Sequence, residues 1–127
     1  MRNEFIIYGS GISAKITASL LARNGFNVCL ISDKDNNKKI SSTNLVTFLS
    51  LGSLNYLLSI WANSQLFSEN PEIQNIDCQL NSLSMEKSQH IRFHDDDKKY
   101  LGKIIKNSSF EKFLDEEINQ LNNLSVI

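Results

Sequence analysis

The stretch "FIIYGSGISAKITASLLARNGFNVCLIS", Phe5 to Ser32, constrains the fold more than any other part of the chain. A short β-rich run, Glu4 to Tyr8, stops at Gly9, and Ile12, Ile16, Leu20 and Leu21 then recur at helical spacing as far as the helix-stop pair Asn24-Gly25. Phe26 to Ile31 follows as a second strand with apolar residues on both faces, the pattern of a parallel strand covered by helices. Parallel neighbours need a crossover, and the intervening helix supplies one of right-handed sense. The spacing predicts a βαβ unit.

Its first turn, Gly9-Ser10-Gly11-Ile12-Ser13-Ala14, has the form G-x-G-x-x-G/A, directly after a strand and at the opening of a helix. Gly9 permits the tight turn, Gly11 lets the backbone approach a pyrophosphate with no Cβ in the way, and Ala14 keeps the helix close to the strand. The unpaired N–H groups of the first helical turn and the positive end of the helix dipole stabilise phosphate oxygens. A dinucleotide diphosphate is the natural ligand, with a plain tight βα turn as the alternative. At the end of the second strand of such units an acidic side chain binds ribose hydroxyls. Here that position is Ser32, and the first carboxylate comes at Asp33, which serves if the strand has already ended, since a one-residue shift turns a side chain to the other face. Asp35 is a second candidate. The candidate cofactor-binding set is Gly9, Ser10, Gly11, Ile12, Ser13, Ala14, Ser32 and Asp33.

The 127 residues suffice for one core and fall short of two full domains enclosing an active site. Ser32 to Asn44 is polar and reads as a surface loop. "LVTFLSLGSLNYLLSIW", Leu45 to Trp61, reads as a buried helix broken near Gly52, and it is shorter and more polar than the ~20 apolar residues of a membrane span. Pro71 marks a break in "SENPEIQ"; "IQNIDCQL", "QHIRFH" and "YLGKIIK" are strand candidates of an antiparallel or mixed region, with "HDDDKK" as a turn. Ser108 to Glu111 has the S-x-x-E form of a capping box, with Phe110, Phe113, Leu114, Ile118 and Leu121 at helical spacing behind it. "LSVI" opens another strand, so the chain is expected to stop inside a larger βαβ fold. The expected class is α/β: a Rossmann-like βαβ unit with additional strands and helices, incomplete as a nucleotide-binding fold.

Composition removes several function classes. A net charge of -1, with 41% hydrophobic and 21% charged residues, gives no global attraction to nucleic acid. Cys29 and Cys78 are the two cysteines and no C-x-x-C occurs, which argues against a disulfide framework or a zinc site and for a reducing, cytoplasmic setting. "MRNEFIIYG" lacks the apolar core of a signal peptide. His90 and His94 fall on a strand and its turn rather than at a helical i, i+4 site, and beside Asp95, Asp96 and Asp97 they read as a solvated tip rather than a metal cluster. In "EKFLDEEINQ", Glu111, Asp115 and Glu116 favour the helix dipole or face water, without a catalytic role.

The later segments add a resemblance. "FLSLGSLNYLLSIW", "IQNIDCQL" and "YLGKIIKNSSFEKFLDEEINQL" follow one another in an order that resembles the N-terminal, FAD-binding part of the FAD-dependent aromatic-ring hydroxylases of ubiquinone biosynthesis, over nearly the whole chain. Ser50, Ser53 and Ser59-Ile60-Trp61 are similar to that family's Ser-x-x-Ser helix and its end, and Leu101, Gly102 and Asn107 to its Leu-Gly-x-x-x-x-Asn segment. The chain departs from the family at Leu45, where an arginine is usual, and at Ser32, where the ribose acid is usual. The resemblance implies FAD as cofactor, NAD(P)H as electron donor, an aromatic ubiquinone precursor as the ring hydroxylated, and a cytoplasmic protein for which peripheral contact with the inner membrane face stays open. It also implies that residues 1–127 are the N-terminal portion of an FAD/NAD(P)-binding domain, a fragment that does not turn over alone, because the family's Gly-Asp flavin segment and substrate-covering sheet would fall beyond Ile127. Two other readings remain: an NAD(P)-binding Rossmann module of a dehydrogenase, and a non-catalytic remnant that keeps the fold.

Overall fold

The computed structural model describes residues 3–32, 44–62, 64–80, 89–97 and 99–127. In chain order the elements are β1 (Phe5–Tyr8), α1 (Ile12–Arg23), β2 (Val28–Ile31), β3 (Val46–Ser50), α2 (Leu51–Ile60), α3 (Gln65–Ser68), β4 (Glu72–Ile73), β5 (Asn75–Leu80), β6 (Gln89–His94), β7 (Gly102–Lys106), α4 (Asn107–Asn119) and β8 (Leu124–Val126). They divide into two compact units, Met1–Val46 with Lys106–Ile127, and Thr47–Ile105.

The first unit carries the glycine turn. Its sheet has the order β1-β2-β8, and both pairings are parallel, in register from Phe5↔Val28 to Tyr8↔Ile31 and from Val28↔Leu124 to Leu30↔Val126. The expected βαβ unit and the strand in "LSVI" are therefore both present. Ala18 and Ala22 of α1, Val28 and Leu30 of β2 and Ile118 of α4 form one buried cluster, so both helices cover the same sheet face. The two alanines, small and fully apolar, let α1 approach the sheet closely. Cys29, on the alternate face, is buried as well.

Helix α1 ends where the Asn-Gly pair places its stop. Gly25, at φ 89°, donates its N–H to Ala22 O at 3.0 Å, and Phe26 donates to Leu21 O at 3.2 Å, the two bonds of a Schellman terminus. This delays β2: Phe26 belongs to the helix end, its ring edge-on to Phe5 with centroids 5.1 Å apart, and regular pairing starts at Val28 rather than Phe26. Asn123 fastens the same corner, its Nδ2 donating to Ala22 O and Phe26 O, each at 2.7 Å.

The second unit is antiparallel where its pairing is described. Its sheet has the order β3-β7-β4, with Glu72↔Lys103 and Ile73↔Gly102 antiparallel, and β5 and β6 form a separate antiparallel hairpin tied by Arg92 Nε to Asp77 Oδ1 at 2.7 Å. That exposed ion pair holds the Asp77 carboxyl below its usual range, chiefly through the hydrogen bond from Arg92. Leu54, Leu57, Trp61, Phe67 and Ile105 are buried in this unit. Buried Lys103 keeps its charge satisfied by donating to Phe67 O and Ser68 O at the end of α3, each at 3.0 Å.

Two local expectations are corrected. Leu45 to Trp61 is not one broken helix, because Val46 to Ser50 is strand β3 and α2 begins at Leu51. Val46, Thr47 and Phe48 are β-favouring, and Ser50 caps α2 by accepting from Ser53 N at 3.2 Å, so the switch lies at Ser50 rather than Gly52. The capping box at Ser108 does not form. Strand β7 runs directly into α4 with Lys106 at the N-cap and no side-chain cap bond, which puts Ser108 inside the helix.

Candidate functional site

The site is built at the carboxyl edge of the β1-β2-β8 sheet. Gly9 follows β1, donates its N–H to Ile31 O at 2.9 Å, and adopts φ 150°. A Cβ there would come within 3.1 Å of Ala14 Cβ, so the first glycine and the alanine are fixed by the same contact between turn and helix. Gly11 differs. It is the N-cap of α1 with extended backbone, φ -82° and ψ 171°, and a Cβ built on it would meet nothing within 4 Å.

Helix α1 opens without a side-chain cap and without an acidic residue in its first turn. The leading N–H groups of Ile12, Ser13 and Ala14 therefore have no carboxylate or hydroxyl from Gly11 competing for them, and the dipole's positive end is uncompensated there. Backbone donors, an open N-cap and 12 helical residues behind them suit an anionic diphosphate oxygen.

Ser32 lies on the same edge, donating its N–H to Ile127 O at 2.9 Å and so extending the β2-β8 ladder by one step. Asp33, its proposed carboxylate neighbour, and Asp35 lie outside the described residues. Ser32 instead lines a cavity of about 350 Å³ with Lys15, Leu30, Asp115, Ile118, Asn119 and Val126. That volume is at the lower end of the ~300–1,000 Å³ of small-molecule sites, room for a nucleoside rather than a whole dinucleotide. A second cavity, of about 290 Å³ and lined by Asn3, Asn27, Val28 and residues 122–125, lies at the amino edge. Ligands of parallel α/β sheets bind at the carboxyl edge, which favours the first.

The cavity holds two charged groups that sequence reasoning missed. Lys15 Nζ is 2.7 Å from Asp115 Oδ1; the lysine side chain is 7% exposed and the aspartate 56%. Lys15 shares the inward stripe of α1 with Ala18, Ser19 and Ala22, at spacings of three, four and seven. A lysine on that stripe was the available signal, since a buried ammonium needs a partner. Asp115 was legible only as a member of an acidic helix.

The histidines belong to the second unit. His94 Nε2 lies 2.9 Å from Asp96 Oδ1 at the exposed hairpin end, and His90 sits opposite Gln79 in β6. Among the described residues no group of three His, Cys, Asp or Glu side chains is placed to hold a metal. Among the same residues no helix is long and apolar enough to cross a membrane.

No protein-family model matches the sequence, and neither does any of the curated proteins. Solved structures do match in fold. p-Nitrophenol 4-monooxygenase PnpA from Pseudomonas putida superposes with a TM-score of 0.68 at 11% identity, over 98% of this chain and 31% of its own. PqsL of Pseudomonas aeruginosa, described as a probable FAD-dependent monooxygenase, gives 0.58 at 15%, over 98% and 32%. Aklavinone-11 hydroxylase, solved with FAD and aklavinone, gives 0.59 at 16%, over 100% and 26%. This chain has the α/β fold found within these proteins. It spans about a third of their length or less.

Proposed function

We propose that the chain binds FAD and forms the flavin-binding portion of a flavin-dependent aromatic-ring monooxygenase. Gly11 carries the reading: its backbone is extended and open space surrounds its Cβ position, so the chain itself has no need of glycine there, whereas a diphosphate against the helix N-terminus does. The likeness in fold to FAD-dependent monooxygenases supports the same cofactor. Bound FAD would supply the redox chemistry with O2; the residues named here bind and orient it. Gly9, Ser10, Gly11, Ile12, Ser13 and Ala14 cradle the diphosphate, and Ser32 and Asp33 are assigned to the ribose.

The finer reading is a hydroxylase of ubiquinone biosynthesis, with NAD(P)H as donor, an aromatic precursor as substrate and peripheral contact with the inner membrane face. The order of segments from Phe48 to Leu121 supports it. Residues 1–127 then form the N-terminal portion of the cofactor domain. One observation favours a second reading: Ser32 in the acid's place, with Lys15 lining the same cavity, is compatible with an NADP module, in which a basic group replaces the acid.

Titration calorimetry with FAD and with NADPH, under circular dichroism control of folding, decides. Saturable FAD binding tighter than NADPH is the expected result. Tighter NADPH binding would establish the dehydrogenase module, and a folded chain that takes up neither would be a remnant.

A further inference from the structure

The residue that follows β2, Ser32, is not a carboxylate, yet the cavity it lines contains one, Asp115. We infer that Asp115, from α4, binds the ribose hydroxyls of the dinucleotide's adenosine half, with Lys15 as its positioning residue. This rests on the dinucleotide reading above and adds a ligand-binding residue to it.

Three observations carry the assignment. Asp115 and Ser32 line the same cavity, at the carboxyl ends of β2 and β8, while the diphosphate turn occupies the carboxyl end of β1. Adjacent strands are ~4.8 Å apart, so a ligand whose diphosphate lies over the β1 turn reaches the β2-β8 cavity with its next sugar. Second, the carboxylate is held but not used up. Lys15 Nζ meets Oδ1 at 2.7 Å, whereas Oδ2 has no partner among the described residues and the side chain is 56% exposed. A carboxylate with one oxygen fixed and the other open is suited to accept from a vicinal diol.

Third, the charges balance in the way a nucleotide requires. A lone carboxylate near a diphosphate would repel it; Lys15, the residue after Ala14, offsets that charge. Burial of Lys15 also fixes the side of α4 on which the carboxylate stands. The 2.7 Å contact between Lys15 Nζ and Asp115 Oδ1 holds the carboxylate on the side of α4 that lines the cavity.

The test compares ADP with 2′,3′-dideoxy-ADP by calorimetry, because their ratio isolates the hydroxyls from diphosphate and adenine. Wild type is expected to prefer ADP by about 10- to 100-fold, the range of hydrogen bonds to a charged group. Asp115→Asn should bring the ratio close to one. Should Asp115→Asn fold poorly over the orphaned lysine, Lys15→Met with Asp115→Asn removes both charges and should show the same loss. A ratio retained in either Asp115 variant, or lost only in Asp33→Asn, overturns the assignment while leaving dinucleotide binding intact. If wild type binds neither ADP nor FAD, the dinucleotide reading fails and this assignment fails with it.

Discussion

Gly11→Ser separates the demands of the fold from those of a ligand. Serine is compatible with φ -82° and ψ 171°, and its Cβ has open space. Replacing glycine at a compatible position reduces the conformational freedom of the unfolded chain, worth about 0.4–1 kcal/mol. A serine hydroxyl can also accept from the N–H of Ser13 or Ala14 and cap α1, worth a few tenths of a kcal/mol over glycine. The two together give a gain of about 1 kcal/mol, or a Tm higher by about 4 °C. Binding moves the other way. The new Cβ stands where the diphosphate approaches and the hydroxyl takes an N–H meant for a phosphate oxygen, so one charge-assisted bond of about 1.5–3 kcal/mol is lost and FAD binds about 10- to 100-fold more weakly.

The assay is a pair of measurements on one variant: thermal unfolding by circular dichroism without ligand, and FAD titration by calorimetry. A variant that gains stability and keeps wild-type FAD affinity would show that the diphosphate does not rest on this turn. A variant that loses stability would refute the claim that Gly11 is unconstrained by the fold.

Ser19→Ala should stabilise the chain by about 1 kcal/mol, because Ser19 Oγ is buried with no partner among the described residues and alanine favours the helix; urea unfolding checks this, and a loss would reveal a partner for the hydroxyl. Gly102→Ala should cost about 3 kcal/mol in the same assay, since the added Cβ would fall on the carbonyl oxygen of Leu49 and within 2.8 Å of the Phe48 ring, and a backbone oxygen in a paired strand has nowhere to yield. For the β5-β6 hairpin, the Asp77 carboxyl titrates below its usual range because Arg92 bonds its charged form, so its support is present above the ordinary carboxylate pKa and lost as pH falls through the lowered one. Carbon NMR titration of Asp77 should show the depression in wild type and its disappearance in Arg92→Gln.

The parts of the fold legible in the sequence are those in which a local period and a local terminator agree. α1 has both: Ile12 to Leu21 repeat with helical spacing, and Asn24-Gly25 closes a Schellman terminus on the spot. Strand β3 was not legible, because apolar residues recur through the whole of Val46 to Ile60, and a single apolar-rich run does not distinguish a strand followed by a helix from a helix alone. Only the Ser50 cap marks the change. The S-x-x-E at Ser108 misled for the complementary reason: the motif is local, but where α4 starts is set by β7, whose last residue is already the N-cap. In the site, Gly9, Gly11 and Ala14 were legible because one turn contains them all. Lys15 and Asp115 are 100 positions apart in the chain, and nothing but the packing of α1 beside α4 brings them together.

If the chain binds FAD as proposed, the order of the sheet makes the adenosine half the part this unit grips. In doubly wound sheets the crevice opens at the carboxyl ends, where the strand order reverses beside the first strand. Here the described order runs β1-β2-β8 to one side only, and on the other side β1 is an edge, with Ile6 69% and Tyr8 78% exposed. The register puts the N–H groups of Phe5 and Gly9 toward β2, so by alternation those of Ile6 and Tyr8 point away from it. On the proposed reading one wall of the crevice is present: the turn at Gly9 to Ala14 for the diphosphate and the β2-β8 cavity for the nucleoside. The affinity of this unit for FAD should accordingly reside in the ADP moiety, and Asp115 and Gly11, one at each end of it, are the positions where a single side chain changes most.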